Sequence, residues 1–218
     1  MNQDFSAVLF DLDGTLVDTA PDLAYALNTL LEQEGHAALP YQDIRPVASN
    51  GSAALLELGF SIKPKYKDFP RLQKRFLQIY QDNIARETRL FDGMAEVLSA
   101  LEQANITWGI ITNKPAFLTD PLCEALELSQ RAACIVSADT TPHPKPHPAP
   151  MLYACDVIKL QAEQCIYIGD AARDIEAGKN VNMITVAALY GYLSEHDNAD
   201  DWHADFSIEH PSDILKWI

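Results

Sequence analysis

The sequence predicts an α/β protein with a Rossmann-like parallel sheet core and an inserted α-helical cap domain. Three observations predict it. Short apolar runs alternate with helical hydrophobic patterns over most of the chain, as βαβ units feeding a parallel sheet do. Several of those runs are apolar without alternation, as strands covered by helices on both faces must be. The stretch from about Thr19 to Arg89 departs from this pattern, holding helical periodicity without a convincing strand.

The first expected strand is Ala7 to Phe10, which runs directly into Asp11-Leu12-Asp13-Gly14-Thr15-Leu16-Val17-Asp18-Thr19. The helical insert follows. Leu23, Ala26, Leu27, Leu30 and Leu31 form one apolar stripe, opened near Thr19 and Pro21 and closed near Gly35. Further helices are expected over Ser52 to Leu58 and Phe69 to Ala85. The insert leaves the sheet after the Asp-rich segment and returns before Leu90-Phe91-Asp92-Gly93, which suits a lid over the strand ends. Residues 1–18 and 86–218 are therefore expected to form the Rossmann-like core, and 19–85 the helical cap. Beyond the insert, a helix from Met94 to Ala104 buries Met94, Val97, Leu98 and Leu101, with Asn105 placed to end it. Later strands are expected at Thr107 to Thr112, Cys134 to Ser137, Cys165 to Ile168, Ile184 to Val186 and Asp205 to Ile208. Helices are expected at Leu118 to Leu126 and Ala171 to Val181.

A chain of 218 residues suffices for one sizeable core and a smaller companion domain. Its 16 Lys and Arg against 31 Asp and Glu give a net charge of −15, so neither nucleic acid nor a membrane surface is an expected partner. An anionic substrate needs local positive charge. Cys123, Cys134, Cys155 and Cys165 form no Cys-x-x-Cys pair and read as reduced, buried thiols. No basic segment followed by an apolar stretch opens the chain, so no signal peptide is expected. No run approaches ~20 apolar residues, so no membrane span is expected either. The expected setting is cytoplasmic, as a monomer or homodimer.

Asp11 and Asp13 lie two apart at the end of a strand, and a strand sends residues i and i+2 to the same face. Open α/β sheets bind ligands at that carboxyl end. Two carboxylates so close repel unless a cation, an incoming phosphoryl group, or both complete the site. Three more features follow later strands. Thr112-Asn113-Lys114-Pro115 offers a hydroxyl and backbone N–H groups suited to phosphate oxygens. Lys145 is a point charge in the proline-stiffened Pro144-Lys145-Pro146-His147-Pro148. Gly169-Asp170-Ala171-Ala172-Arg173-Asp174 places Asp170 and Asp174 one helical turn apart, a spacing that brings both toward one cation. Each alone has an ordinary reading as a cap or loop residue. Together, in order and each after an apolar strand, they make a site. His143 and His147 read as loop residues, for lack of a second ligand cluster.

These segments resemble the four motifs of the haloacid dehalogenase-superfamily phosphatases that carry a helical cap after the first motif, and the likeness spans essentially the whole chain. The resemblance implies Asp11 as nucleophile and Asp13 as general acid and base. It implies that Thr112, Asn113 and Lys145 bind the transferring phosphoryl group. It also implies Mg²⁺ held by Asp11, Asp170 and the backbone carbonyl of Asp13, with Asp174 in support. The substrate is then a small phosphorylated metabolite. Two positions depart from the pattern: Ala171 stands where relatives often carry a polar residue, and Asn182 where a Gly often follows the helix.

In the cap, Arg45-Pro46-Val47-Ala48-Ser49-Asn50-Gly51 is the expected substrate loop. Ser49 and Asn50 can hydrogen-bond a substrate, and Gly51 permits close backbone approach. Asn50 reads equally well as a cap for the helix from Ser52. Arg45 is a candidate for a substrate carboxylate or for a surface ion pair. The Asp-Gly-Thr-Leu-Val-Asp-Thr-Ala-Pro start and the Thr-Asn-Lys-Pro motif resemble phosphoglycolate phosphatases. Leu90 to Glu96, Trp108-Gly109 and the segment from Tyr190 to Pro211 are most similar to bacterial N-acetylmuramic acid 6-phosphate phosphatases. The alternatives are a phosphosugar mutase, a dehalogenase, and a non-catalytic regulator that binds phosphorylated metabolites.

Overall fold

A computed structural model describes residues 5–195 and 197–218. The chain opens with β1 (Ala7–Phe10), β2 (Val17–Asp18) and α1 (Ala20–Gln33). Next come α2 (Tyr41–Ile44), a 3-10 turn over Arg45–Asn50, α3 (Gly51–Phe60), α4 (Phe69–Gln81) and β3 (Arg89–Leu90). Then α5 (Met94–Gln103), β4 (Thr107–Ile111), α6 (Ala116–Ala125), β5 (Ile135–Val136) and α7 (Ala149–Ile158) follow. The chain closes with β6 (Cys165–Gly169), α8 (Ala172–Lys179), β7 (Ile184–Ala188) and β8 (Phe206–Ile208).

Six strands form one parallel sheet in the order β5-β4-β1-β6-β7-β8. β1 is central, and its residues are buried on both faces. Val8 and Phe10 join Trp108, Ile110, Val97 and Leu101 on one side. Ala7 and Leu9 join Tyr167, Met151 and Ala177 on the other. That two-sided burial is why the strand reads as continuously apolar. Register decides the rest: Phe10 stands level with Ile110 and Ile168, so Asp11, Thr112 and Asp170 all leave the sheet at one end.

Between β2 and β3, helices α1, α3 and α4 pack around a separate cluster that includes Leu27, Leu30, Leu55, Leu72, Phe76 and Tyr80. Here Gly59 lets α3 approach α1, since a Cβ on it would lie 2.9 Å from Leu27 Cδ1. Buried Asp22, in the first turn of α1, accepts from the N–H groups of Glu87 and Thr88 and from the Thr88 hydroxyl. The outgoing and returning chains are thus fastened together beside the sheet.

Several expectations need correction. β2 and β3 pair antiparallel, Val17 with Leu90 and Asp18 with Arg89, as a ribbon where the chain leaves and re-enters the core. Strands of two residues are too short to show a period. α7 starts within the proline-rich loop, where Pro150 sits in its first turn; proline suits that position because the N–H it lacks has no partner there. α4 ends at Gln81, short of Ala85, and α2, at four residues, is too short to show a helical period in the sequence. Asn105 and Asn182 both adopt left-handed φ, 56° and 62°, which lets each end its helix without Gly.

Candidate active site

The sheet gathers four segments that lie far apart in sequence. The buried ammonium of Lys145 lies 2.9 Å from Asp11 Oδ1 and 2.7 Å from Asp174 Oδ1. It also donates to the Ile111 carbonyl at 2.8 Å and to the Tyr167 hydroxyl at 2.7 Å. Tyr167 in turn donates to Ile111 O, so a phenol inside the sheet holds the lysine in place. Asn113 spends its side chain on the Lys145 backbone, accepting its N–H and donating to its C=O, both at 2.9 Å. What Asn113 retains for a phosphoryl group is its backbone N–H. Thr112 Oγ1 accepts from the Lys114 N–H, which leaves its own proton free to point into the site.

Asp13 is held separately. Its Oδ1 accepts from Thr19 Oγ1 at 2.6 Å and from Lys114 Nζ at 2.8 Å, and Lys114 also donates to Tyr80 of α4 at 2.9 Å. Asp11 and Asp13 thus have different partners, one cation each.

Asp170 Oδ2 accepts from the Tyr192 N–H and from Ser49 Oγ, each at 2.9 Å. These contacts replace the support that Ala171 cannot give. Gly14 and Gly191 make room for this carboxylate: Gly14 has φ of +86°, and a Cβ on either residue would come within 2.2 Å of an Asp170 atom.

Crowding acidic groups this way shifts their proton affinity. Asp11 is pushed up to about 6, by burial first, against the lowering pull of Lys145 and with Asp174 adding to the rise. Asp170 rises to about 7, from burial and then from the charges of Asp11 and Asp174. Burial works against the charge of Lys145, but Asp11 and Asp174 outweigh it and raise its proton affinity. The cluster holds more negative charge than one lysine neutralises.

The geometry fits a hard divalent cation. Asp11, Asp170 and Asp174 each offer one oxygen, all within 4.8 Å of one another. Asp174 Oδ1 is buried without a well-directed hydrogen bond, despite its short charge contact with Lys145. Ser49 Oγ bonds both Asp170 Oδ2 and, at 3.4 Å, the Asp13 carbonyl, so that carbonyl faces the same spot. An all-oxygen donor set of this kind suits Mg²⁺.

Above these residues lies a cavity of about 370 Å³ between sheet and cap. Asp11, Asp13, Thr112 and Asn113 line it from the core, while Lys145 lies outside the lining. From the cap come Ser49, Asn50 and Gly51, with an apolar wall of Leu23, Phe76 and Leu77. Asn50 stands just before α3, but its side chain makes no capping bond and instead faces Arg173. Gly51 has φ of +77° with open space where a Cβ would be.

Arg45 is not brought into the cavity. Its guanidinium donates to the carbonyls of Tyr190 and Gly191, both at 3.1 Å, and lies over the Tyr192 ring. Those carbonyls, on the loop after β7, capture it before it can reach a substrate. The cavity cations that the sequence reading did not assign are Lys114 and Arg173. Arg173 had a signal: a cation in the first turn of a helix runs against the helix dipole, so it sits there for another reason.

The haloacid dehalogenase-like hydrolase family model matches residues 8–188. An N-acetylmuramic acid 6-phosphate phosphatase of Pseudomonas putida is 38% identical over 212 residues, covering 97% of this chain and 95% of that protein. A phosphoglycolate phosphatase of Xanthomonas campestris is 41% identical over 211 residues, with 96% and 95% covered. Among solved structures, a protein from Haemophilus somnus described as a predicted phosphoglycolate phosphatase superposes with a TM-score of 0.87 at 26% identity. That match covers 100% of this chain and 99% of the other. Among the described residues, no helix is long and apolar enough to cross a membrane.

Proposed function

Because the chain belongs to the haloacid dehalogenase-like hydrolase family and, like its named relatives, is a phosphatase, we propose that it hydrolyses a phosphorylated sugar acid through an aspartyl-phosphate on Asp11. The carrying observation is the pair Asp11 and Asp13, both facing one cavity but held by different cations. Asp11, bearing no proton, attacks phosphorus, the ester P–O bond breaks, and the phosphoryl group is left on the carboxylate. Asp13 gives a proton to the departing alkoxide, then takes one from the water that hydrolyses the aspartyl-phosphate. Thr112 and the Asn113 N–H cradle the phosphoryl oxygens, and Lys145 keeps Asp11 oriented and partly neutralised. Mg²⁺ held by Asp11, Asp170 and the Asp13 carbonyl, with Asp174 in support, would neutralise phosphoryl charge when bound.

The regulator reading falls with the phosphatase assignment. For the leaving alcohol, the two curated relatives suggest N-acetylmuramic acid 6-phosphate or 2-phosphoglycolate. Cavities of about 300–1,000 Å³ enclose ligands of drug size. A cavity of about 370 Å³ has room for the sugar acid. The test is phosphate release under saturating Mg²⁺, comparing kcat/KM for N-acetylmuramic acid 6-phosphate, 2-phosphoglycolate and an aryl phosphate. The sugar acid should lead. If neither natural ester exceeds the aryl phosphate, both substrate readings fail.

A further inference from the structure

The cavity has two cations in its wall, and only one is engaged in a direct ion pair. Lys114 is paired with Asp13 at 2.8 Å. Arg173 donates to the Ser49 carbonyl at 2.8 Å and to Asn50 Oδ1 at 3.5 Å, both uncharged acceptors. Among the described residues no carboxylate oxygen lies within 4.0 Å of its guanidinium, which leaves its remaining N–H donors for a bidentate acceptor.

Its place in the fold adds direction. Arg173 stands three residues after Asp170, at the start of α8, yet bonds across the cavity to the cap loop. The leaving group must lie between Asp13, which reaches its oxygen, and that loop. The facing wall is mostly apolar, with Leu23, Phe76, Leu77 and Leu118, and its polar pair, Gln73 and Ser52, carries no charge and is bonded together. Arg45 is taken up by Tyr190 and Gly191.

We propose that Arg173 is the specificity residue of this phosphatase, binding a carboxylate on the leaving group by its guanidinium fork. This rests on the reading of the substrate as a phosphorylated acid and names how the site selects it. The substrate class is phosphomonoesters whose alcohol carries a carboxylate, and the neutral analogue lacking that group is the one the site turns away.

The experiment uses matched substrates. N-acetylmuramic acid 6-phosphate and N-acetylglucosamine 6-phosphate differ only in the lactyl ether that carries the carboxylate. Wild type should prefer the acid by about 10- to 100-fold in kcat/KM. Arg173→Gln should remove most of that preference, chiefly through KM of the acid, with a much smaller loss on the neutral sugar. Arg173→Lys, which keeps the charge but loses the fork, should fall between. Thermal melts of all three proteins check folding. Equal losses on both substrates would make Arg173 a mere latch for the cap and overturn the proposal. If wild type does not hydrolyse the sugar acid, that substrate reading fails by itself. The same comparison then runs with 2-phosphoglycolate against 2-hydroxyethyl phosphate, and no preference for the acid there would overturn the role of Arg173.

Discussion

The two walls of the cavity are built in opposite ways. On the core side, Asp11 faces the cavity, and directly behind it Lys145, Asp170 and Asp174 are buried together, so charge meets charge. On the cap side, Ser49 and Asn50 approach the same place with a hydroxyl, a carbonyl and an amide. Charge crowded into the core wall is suited to chemistry at phosphorus, where negative charge must be stabilised. The cap wall, neutral except where Arg173 reaches it from α8, is suited to admitting or refusing a leaving group. The two jobs are separable, so substitutions on the two walls should leave different kinetic signatures.

The largest effect expected is from Asp11→Asn. Turnover should fall by at least about 10⁴-fold, as removal of a nucleophile does elsewhere. Because burial pushes the Asp11 carboxyl up to about 6, its charge is a cost to the fold above that pH. The metal-free variant should therefore melt at or above the wild-type temperature near pH 8. An active variant removes Asp11 from the nucleophile role. Next comes Asp13→Asn, expected to lose about 10²- to 10⁴-fold in kcat. Its stability should move the other way, because Lys114 is left buried without its partner, at about 3 kcal/mol. A paired measurement of melting temperatures therefore tests whether the two aspartates occupy different environments.

How much of this was legible in the sequence follows from the same division. Asp11, Thr112 and Asp170 could be read because each ends an apolar run, and parallel strands in level register place such ends together. Lys145 could be read from its stiff loop and its place in the order. The cap contacts could not be read that way. Arg173 meets Ser49 across 124 positions and Lys114 meets Tyr80 across 34, with no pattern in between to link them. Arg45 has the charge and the cap-loop place to meet a carboxylate, but nothing local foretells that the loop after β7 offers it two carbonyls. Periodicity reports which face of an element is buried; it does not report which element folds over which.

A smaller, graded effect concerns the cation. Asp11 and Asp170 rise to about 6 and about 7 without it, whereas an unfolded chain would titrate them near 3.9. The folded, metal-free protein thus keeps protons that the unfolded chain has released, and its stability falls as pH climbs from about 4 to about 7. Mg²⁺ must displace those protons. Its apparent affinity should rise with pH, by up to about tenfold per unit for each proton displaced, and level off above about 7. Calorimetric titration of Mg²⁺ between pH 5.5 and 8 measures this. A flat profile would place the cation away from these carboxylates and blur the contrast between the walls.

The smallest effect expected is at Arg45, and it tests the cap wall most finely. Its guanidinium bonds to Tyr190 and Gly191 fasten the 3-10 turn to the loop whose Tyr192 N–H holds Asp170. Arg45→Gln therefore loosens the seam without touching substrate. Losing hydrogen bonds of this kind costs about 0.5–1.5 kcal/mol each, so kcat/KM should fall by about 3- to 10-fold. The fall should be the same for the carboxylated sugar phosphate and its neutral analogue, because a seam contact acts on both. Arg173→Gln, by contrast, should separate the two substrates. If Arg45→Gln separates them as well, the carboxylate is read from both ends of the 3-10 turn, and admission at the cap wall is shared between two arginines.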